Sequence, residues 1–156
     1  MPSNPLTDPA GTRMPEPVVA TALTCGVAAP SMVIDTSAVV AILFQEPDQR
    51  RYDEAIAAAP ARLVSAVTRV ELAFVVEGRK GAEGRALLER FFRLTGADIV
   101  AATPQHAELA IDAFRRYGKG RHPAGLNIGD CFSYALAVAT DQPLLFKGSD
   151  FARTDV

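Results

Sequence analysis

The chain has no tryptophan, only two cysteines and only two histidines among its 156 residues. Cys25 and Cys131 are too few for a disulfide scaffold or a cysteine-rich zinc site. His106 and His122 stand apart, and neither His-x-x-x-His nor Cys-x-x-Cys occurs, which argues against zinc. No apolar run approaches the ~20 residues that a helix needs to span a bilayer. An excess of one charge is also missing: 16 basic and 18 acidic residues give a formal net charge of -2. That balance neither demands nor forbids nucleic acid, because a weakly acidic protein binds it where its basic residues are grouped. No internal repeat is visible.

What is present describes one soluble globular domain. The hydrophobic fraction is 49% and the charged fraction 22%, and the length suffices for a real core. Residues 1–31 differ from the rest. Pro2, Pro5, Pro9, Pro15, Pro17 and Pro30 put six of the eleven prolines there. Val18–Ala29 resembles a secretory h-region, but a single arginine and two acids precede it and threonines dilute it. A disordered extension is the preferred expectation, with Met32 as an alternative start and residues 32–156 as the folded domain.

Met32-Val33-Ile34 reads as a short buried strand ending at Asp35, and Ser37 to Phe44 as the first helix. A second helix follows Pro47-Asp48 and ends before Pro60. Arg62 to Ser65 is a strand. Val67 to Glu77 is a helix with Gly78 as its stop, and Thr68 and Glu71 have capping-box spacing. Another helix covers about Ala82 to Leu94, with Leu87, Leu88, Phe91 and Phe92 inward. Asp98 to Ala101 is the next strand. Thr103-Pro104 opens a helix that stops at Gly118. After a loop, Asn127 caps a helix from Ile128 to about Thr140. Pro143 to Phe146 is the last strand. Strands alternating with helices imply α/β architecture, a mostly parallel sheet with helices on both faces.

Four acids share a setting. Asp35 ends the first strand, Glu71 lies early in the helix after the second, Asp130 lies in the first turn of its helix, and Asp150 follows the last strand. A parallel sheet would gather all four at the carboxyl edge of its strands, where ligands bind in such folds. Each has apolar or small neighbours, whereas Asp53, Glu54 and Glu89 sit among other charges. Crowded carboxylates repel and drift toward the neutral form unless a cation compensates. A hard divalent cation such as Mg2+ does so with oxygen ligands, and can activate water against a phosphodiester. Each acid also has an ordinary structural reading: an Asx-turn at Asp35, a capping box at Glu71, a favourable helix-end charge at Asp130, a turn at Asp150. As a set at one edge, they favour a metal site.

Four segments carry a resemblance. Ile-Asp-Thr-Ser-Ala (34–38), the lone glutamate in Ser-Ala-Val-Thr-Arg-Val-Glu-Leu (65–72), Leu-Asn-Ile-Gly-Asp-Cys-Phe-Ser-Tyr-Ala-Leu-Ala (126–137) and Pro-Leu-Leu-Phe-Lys-Gly-Ser-Asp-Phe (143–151) resemble the PIN domain. More narrowly, they resemble VapC-type toxins of bacterial VapBC toxin–antitoxin modules. The last two segments are the most specific. The resemblance implies a PIN-like three-layer fold with four to five strands, and a cytoplasmic endoribonuclease dependent on Mg2+ or Mn2+. It implies that Asp35, Asp130, Glu71 and Asp150 hold the metal. Thr36, Ser37, Asn127 and Ser149 stand where supporting contacts are expected. It also implies a homodimer and a cognate VapB-type antitoxin, with no membrane partner. The N-terminal extension is the one departure.

Arg115, Arg116, Lys119, Arg121 and His122 lie within eight residues, just before the Asn127–Asp130 segment. Lys119, Arg121 and Arg116 are candidate phosphate contacts, and Tyr117 could stack on a base. A solvated helix end explains Arg115 and Arg116 equally well. Cys131 reads as a small core residue and His106 as structural. Alternatives to the ribonuclease are a DNA or RNA-processing nuclease of the same fold, and a binding module without catalysis. An aspartyl phosphatase at Asp35 ranks low, because Ser37 stands where its second acid belongs.

Overall fold

A computed structural model describes residues 30–156. The expectations for the N-terminal extension and for the chain start lie outside the described residues, apart from Pro30 and Ser31.

Four short strands form one parallel sheet: β1 (Met32–Ile34), β2 (Arg62–Ser65), β3 (Asp98–Val100) and β4 (Leu144–Leu145). Their order is β3-β2-β1-β4. Met32 pairs with Arg62 and Val33 with Leu63 on one side of β1, and Val33 with Leu144 and Ile34 with Leu145 on the other. The chain therefore steps outward from β1 to β3 and returns to β1's other side for β4. The direction reverses between β1 and β4, and the crevice at the carboxyl ends of such a pair is the usual ligand position.

β1 and β4 are apolar and buried on both faces because both are covered, whereas β3 is an edge strand with Asp98 and Ile99 exposed. Met32, Ile34, Val64 and Leu145 face one core, built with α1 (Thr36–Leu43), α2 (Gln49–Ala58) and α3 (Ala66–Thr95). Val33, Leu144 and Phe146 face the other, built with α4 (Pro104–Tyr117) and α5 (Ile128–Thr140). This is the three-layer α/β arrangement expected. Leu72, Val76 and Leu88 are essentially inaccessible to solvent. Burying each such side chain stabilises the fold by roughly 1.5–3 kcal/mol.

Helix α3 corrects two expectations. Its N-cap is Ser65, whose side chain accepts from Val67 N–H, so Thr68 is not a cap. Nor does Gly78 stop the helix; the break falls at Gly81, with φ 56 and ψ -135. That left-handed backbone suits a residue without Cβ. The two arms fold back on each other there. Arg69 pairs with Glu89 and Arg85 with Glu77 across them. A Cβ on Gly84 would lie 2.4 Å from the Val76 carbonyl oxygen, so the arms meet backbone to backbone. Gly78 has none of these constraints.

The remaining boundaries follow local chemistry. Thr103 caps α4 by accepting from His106 N–H, and His106 Nδ1 accepts from Thr103 N–H in return. The histidine is thus a structural residue. Gly118 ends α4, the loop closes through Leu126 N–H to the Tyr117 carbonyl, and Asn127 opens α5. No helix among the described residues is long and apolar enough to cross a membrane.

Candidate metal centre

Asp35 is the N-cap of α1, at the end of β1. It is 1% exposed, and its carboxylate is held from two sides. Oδ2 accepts from Ser37 N–H at 2.9 Å and from the Ser37 hydroxyl at 2.6 Å. Oδ1 accepts from the Ser133 hydroxyl at 2.8 Å. A carboxylate offers about four lone-pair sites, so three bonds leave room for about one further partner. Ser133 spends its only hydrogen on Asp35, so the 3.0 Å contact with Thr68 has Thr68 as donor. Thr68, Ser133 and Asp35 form a buried relay from α3 through α5 to β1.

Glu71 enters from the first arm of α3. Thr36 donates its hydroxyl to Glu71 Oε2 at 2.5 Å. The Asn127 side chain also favours the charged form of this carboxylate. Burial raises the Glu71 carboxyl above its ordinary value; the Asp35 charge adds to this, and the Thr36 hydrogen bond and the Asn127 side chain oppose it. The start of α5 comes extremely close: a Cβ on Gly129 would stand 2.2 Å from Glu71 Oε2. Only a bare Cα admits the carboxylate there, a constraint legible only once α3 and α5 are placed.

Asp130 and Asn127 cap α5 reciprocally. Asp130 Oδ2 accepts from Asn127 N–H at 2.8 Å, and Asn127 Oδ1 accepts from Asp130 N–H at 3.0 Å. Burial pushes the Asp130 carboxyl up to about 7, assisted by the charges of Asp35, Glu71 and Asp150, while the Asn127 bond acts the other way. Asp130 thus feels the charges of carboxylates from three other segments, and Glu71 that of Asp35. Asp150 is exposed on the loop after β4, beside the exposed Ser149.

The donor set fits a hard divalent cation: carboxylate oxygens, with mutual repulsion that a cation would relieve. The acids are near enough to couple electrostatically. Even so, among the described residues no three His, Cys, Asp or Glu side chains form a ready-made metal-holding group.

Ser133 was missed in the sequence. The available signal was its position three residues after Asp130, on the same face of α5. Cys131 behaves as expected for a core residue: burial and the adjacent Asp130 charge push its thiol up to about 11, away from the reactive thiolate.

The basic segment divides. Arg116 bonds Asp155 at 2.7 Å and also the Tyr117 and Tyr134 hydroxyls, while Tyr134 donates to Asp155 at 2.8 Å. Tyr117 lies edge-on to His122. These two candidates thus have partners in a latch on the C-terminal residues. Lys119 and Arg121 are exposed on the loop, with Arg121 over the Phe114 ring at 5.2 Å.

The family model described as PIN domain matches residues 32–156. The chain belongs to the PIN domain family. Ribonuclease VapC30 of Mycobacterium tuberculosis is 50% identical over 125 residues, which span 80% of this chain and 95% of that one. The fold of this PIN domain recurs in the crystal structure of VapC20 from the same species, a sarcin-ricin loop cleaving toxin. The TM-score is 0.64 at 17% identity, over 78% of this chain and 93% of that one. It recurs in VapBC2 of Rickettsia felis bound to a promoter DNA fragment, with TM-score 0.62 at 14% identity, over 78% of this chain and 90% of that one. The similarity to VapC proteins thus extends from the sequence to the backbone.

Proposed function

We propose that this PIN domain is a Mg2+- or Mn2+-dependent endoribonuclease, the toxin of a VapBC-type pair, acting in the cytoplasm. The observation that supports the reading is the buried Asp130 carboxyl, raised to about 7 by burial and by the charges of Asp35, Glu71 and Asp150. Half of the aligned residues are shared with a protein named as a ribonuclease, which supports the same chemistry here.

Asp35, Glu71, Asp130 and Asp150 would hold the cation. Bound there, it would supply an acidified water and offset charge developing on the phosphodiester. The protein's own contribution is placement. Ser37 and Ser133 lock Asp35; Thr36 and Asn127 orient Glu71; the reciprocal cap orients Asp130. The attacking oxygen bonds to phosphorus as the bond to the 3′ oxygen breaks. One hydrogen of the water ends on that 3′ oxygen, and the products are a 5′-phosphate and a 3′-hydroxyl. Lys119 and Arg121 would meet backbone phosphates without reading sequence.

Two partners complete the reading. The relative from Rickettsia felis was crystallised as VapBC2, which supports an antitoxin of VapB type for this chain. The second would be another copy of this chain, for which the apolar groove of about 560 Å³ between α4 and α5, lined in part by Ile111, Phe114, Ile128 and Phe132, offers a surface. Residues 32–156 would be the functional unit.

The test is cleavage of RNA and DNA with Mg2+ or EDTA, for wild type and Asp130→Asn. RNA cleavage that vanishes in EDTA and in the variant supports the reading. DNA cleavage alone would transfer the activity to the other polymer. Cleavage unchanged by Asp130→Asn would remove the site assignment.

A further inference from the structure

Asp150 adds its charge to those acting on Asp130 from the loop after β4. It is exposed, and its side chain does not cap the short helix that follows, Phe151–Arg153. Its position therefore depends on the path of the loop after β4. That loop is fixed at its far end, where buried Phe151 meets Phe146 with ring centroids 5.1 Å apart. In between, Gly148 turns the chain at φ 101.

Lys147 holds the middle. Its N–H donates to the Ser37 hydroxyl oxygen at 2.9 Å, and the same hydroxyl donates to Asp35 Oδ2. Its ammonium bonds Glu46 Oε2 and Asp48 Oδ1, at 2.5 Å each. Both acids lie between α1 and α2, roughly a hundred positions earlier in the chain. Asp48 is well covered, with its side chain 7% exposed. Burial works to raise its carboxyl, yet the Lys147 bond and charge bring it out below the usual range. One residue thus ties the Asp150 loop to the Asp35 turn by its backbone, and to the α1–α2 connection by its side chain.

We infer that Lys147 is a positioning residue for the cation site, setting Asp150 against Asp35 through the Lys147–Glu46–Asp48 clamp. The inference rests on the metal-dependent reading above. The Lys147 ammonium is taken up by Glu46 and Asp48, so it acts through the loop that carries Asp150. Supporting partners of metal ligands commonly change affinity by about 10–100-fold, and a clamp on a single ligand belongs near the lower end.

The experiment is Mn2+ binding to the whole protein without RNA, read by electron paramagnetic resonance. The proteins are wild type, Lys147→Met, Lys147→Arg, Asp150→Asn, Lys147→Met/Asp150→Asn and Asp130→Asn. Lys147→Met is expected to weaken binding about tenfold, and Lys147→Arg to restore most of it. In the Asp150→Asn background, Lys147→Met should add nothing. Should Lys147→Met fail to fold by circular dichroism, Glu46→Gln, which removes one anchor and keeps the lysine, takes its place with a smaller loss of the same kind. Wild-type affinity in Lys147→Met, or a full additional loss in the double variant, overturns the positioning role and leaves the metal reading intact. Absence of Asp130-dependent Mn2+ binding in wild type overturns both.

Discussion

Ser133 donates its hydroxyl hydrogen to Asp35 Oδ1 at 2.8 Å, across 98 positions of sequence. The bond joins α5 to the end of β1, and Thr68 donates to Ser133 from behind. Ser133→Ala would leave Thr68 without its acceptor and Asp35 with one fewer donor. Leaving a buried polar group unpaired costs about 1–3 kcal/mol. The expected loss of that size, read by urea denaturation, should accompany reduced RNA cleavage at saturating RNA. Thr68→Val should spare more activity, since Ser133 can still donate to Asp35. Equal activity in Ser133→Ala and wild type would show that this bond does not support the site.

Gly129 offers a steric test of the same region. Gly129→Ala places a methyl 2.2 Å from Glu71 Oε2, a distance that forces the carboxylate or the start of α5 aside. Activity and stability should both fall. Glu71→Ala removes the obstructed group, so adding it to Gly129→Ala should recover stability without recovering activity. A double-mutant cycle by thermal melting reads the coupling, and additive losses would contradict the contact.

The raised Asp130 carboxyl sets a pH dependence for the metal-free protein. Its folded value of about 7 exceeds the unfolded value of 3.8, so the folded state holds this proton more tightly. The contribution to stability is fully present below the unfolded value and is lost as pH rises through about 7. Glu71, also raised, acts in the same direction. In EDTA the melting temperature should decline from pH 5 to pH 8. Added Mg2+ should raise it more at the higher pH, because the cation binds the ionised acids. Asp130→Asn should flatten most of the decline. A wild-type decline that persists in full in the variant would assign it elsewhere.

Lys119 and Arg121 should separate from Arg116 by salt dependence. Each phosphate contact to single-stranded nucleic acid contributes about 0.7 to the slope of log affinity against log salt. Lys119→Ala and Arg121→Ala should each reduce the slope by roughly that amount for RNA bound to the uncleaving Asp130→Asn protein. Arg116→Met should chiefly disturb the Asp155 and Tyr134 latch, lowering thermal stability with little change in slope. A slope lost in Arg116→Met would show that the latch opens to bind RNA.

Much of this protein was local enough to read directly. Thr103-Pro104, Gly118 and Asn127 mark helix ends because caps depend on a few consecutive residues, and the apolar strands announce themselves by composition. The four acids were visible because each stands at a strand or helix end among apolar neighbours. Gly81 rather than Gly78 turns α3, and no local rule separates the two; the choice lies in Gly84 meeting Val76 and in the ion pairs between the arms. The same holds at the site. Ser133, Gly129 and Lys147 look ordinary in the chain, and Arg116 looks like a free cation. Their partners, Asp35, Glu71, Glu46 with Asp48, and Asp155, lie tens of positions away. The sequence alone determined which groups could carry charge and, outside α3, about where the elements begin and end. The tertiary structure decided which of those groups touch, because burial, carboxylate coupling and steric exclusion depend on distances in space that only the packing of α3, α5 and the β4 loop around β1 creates.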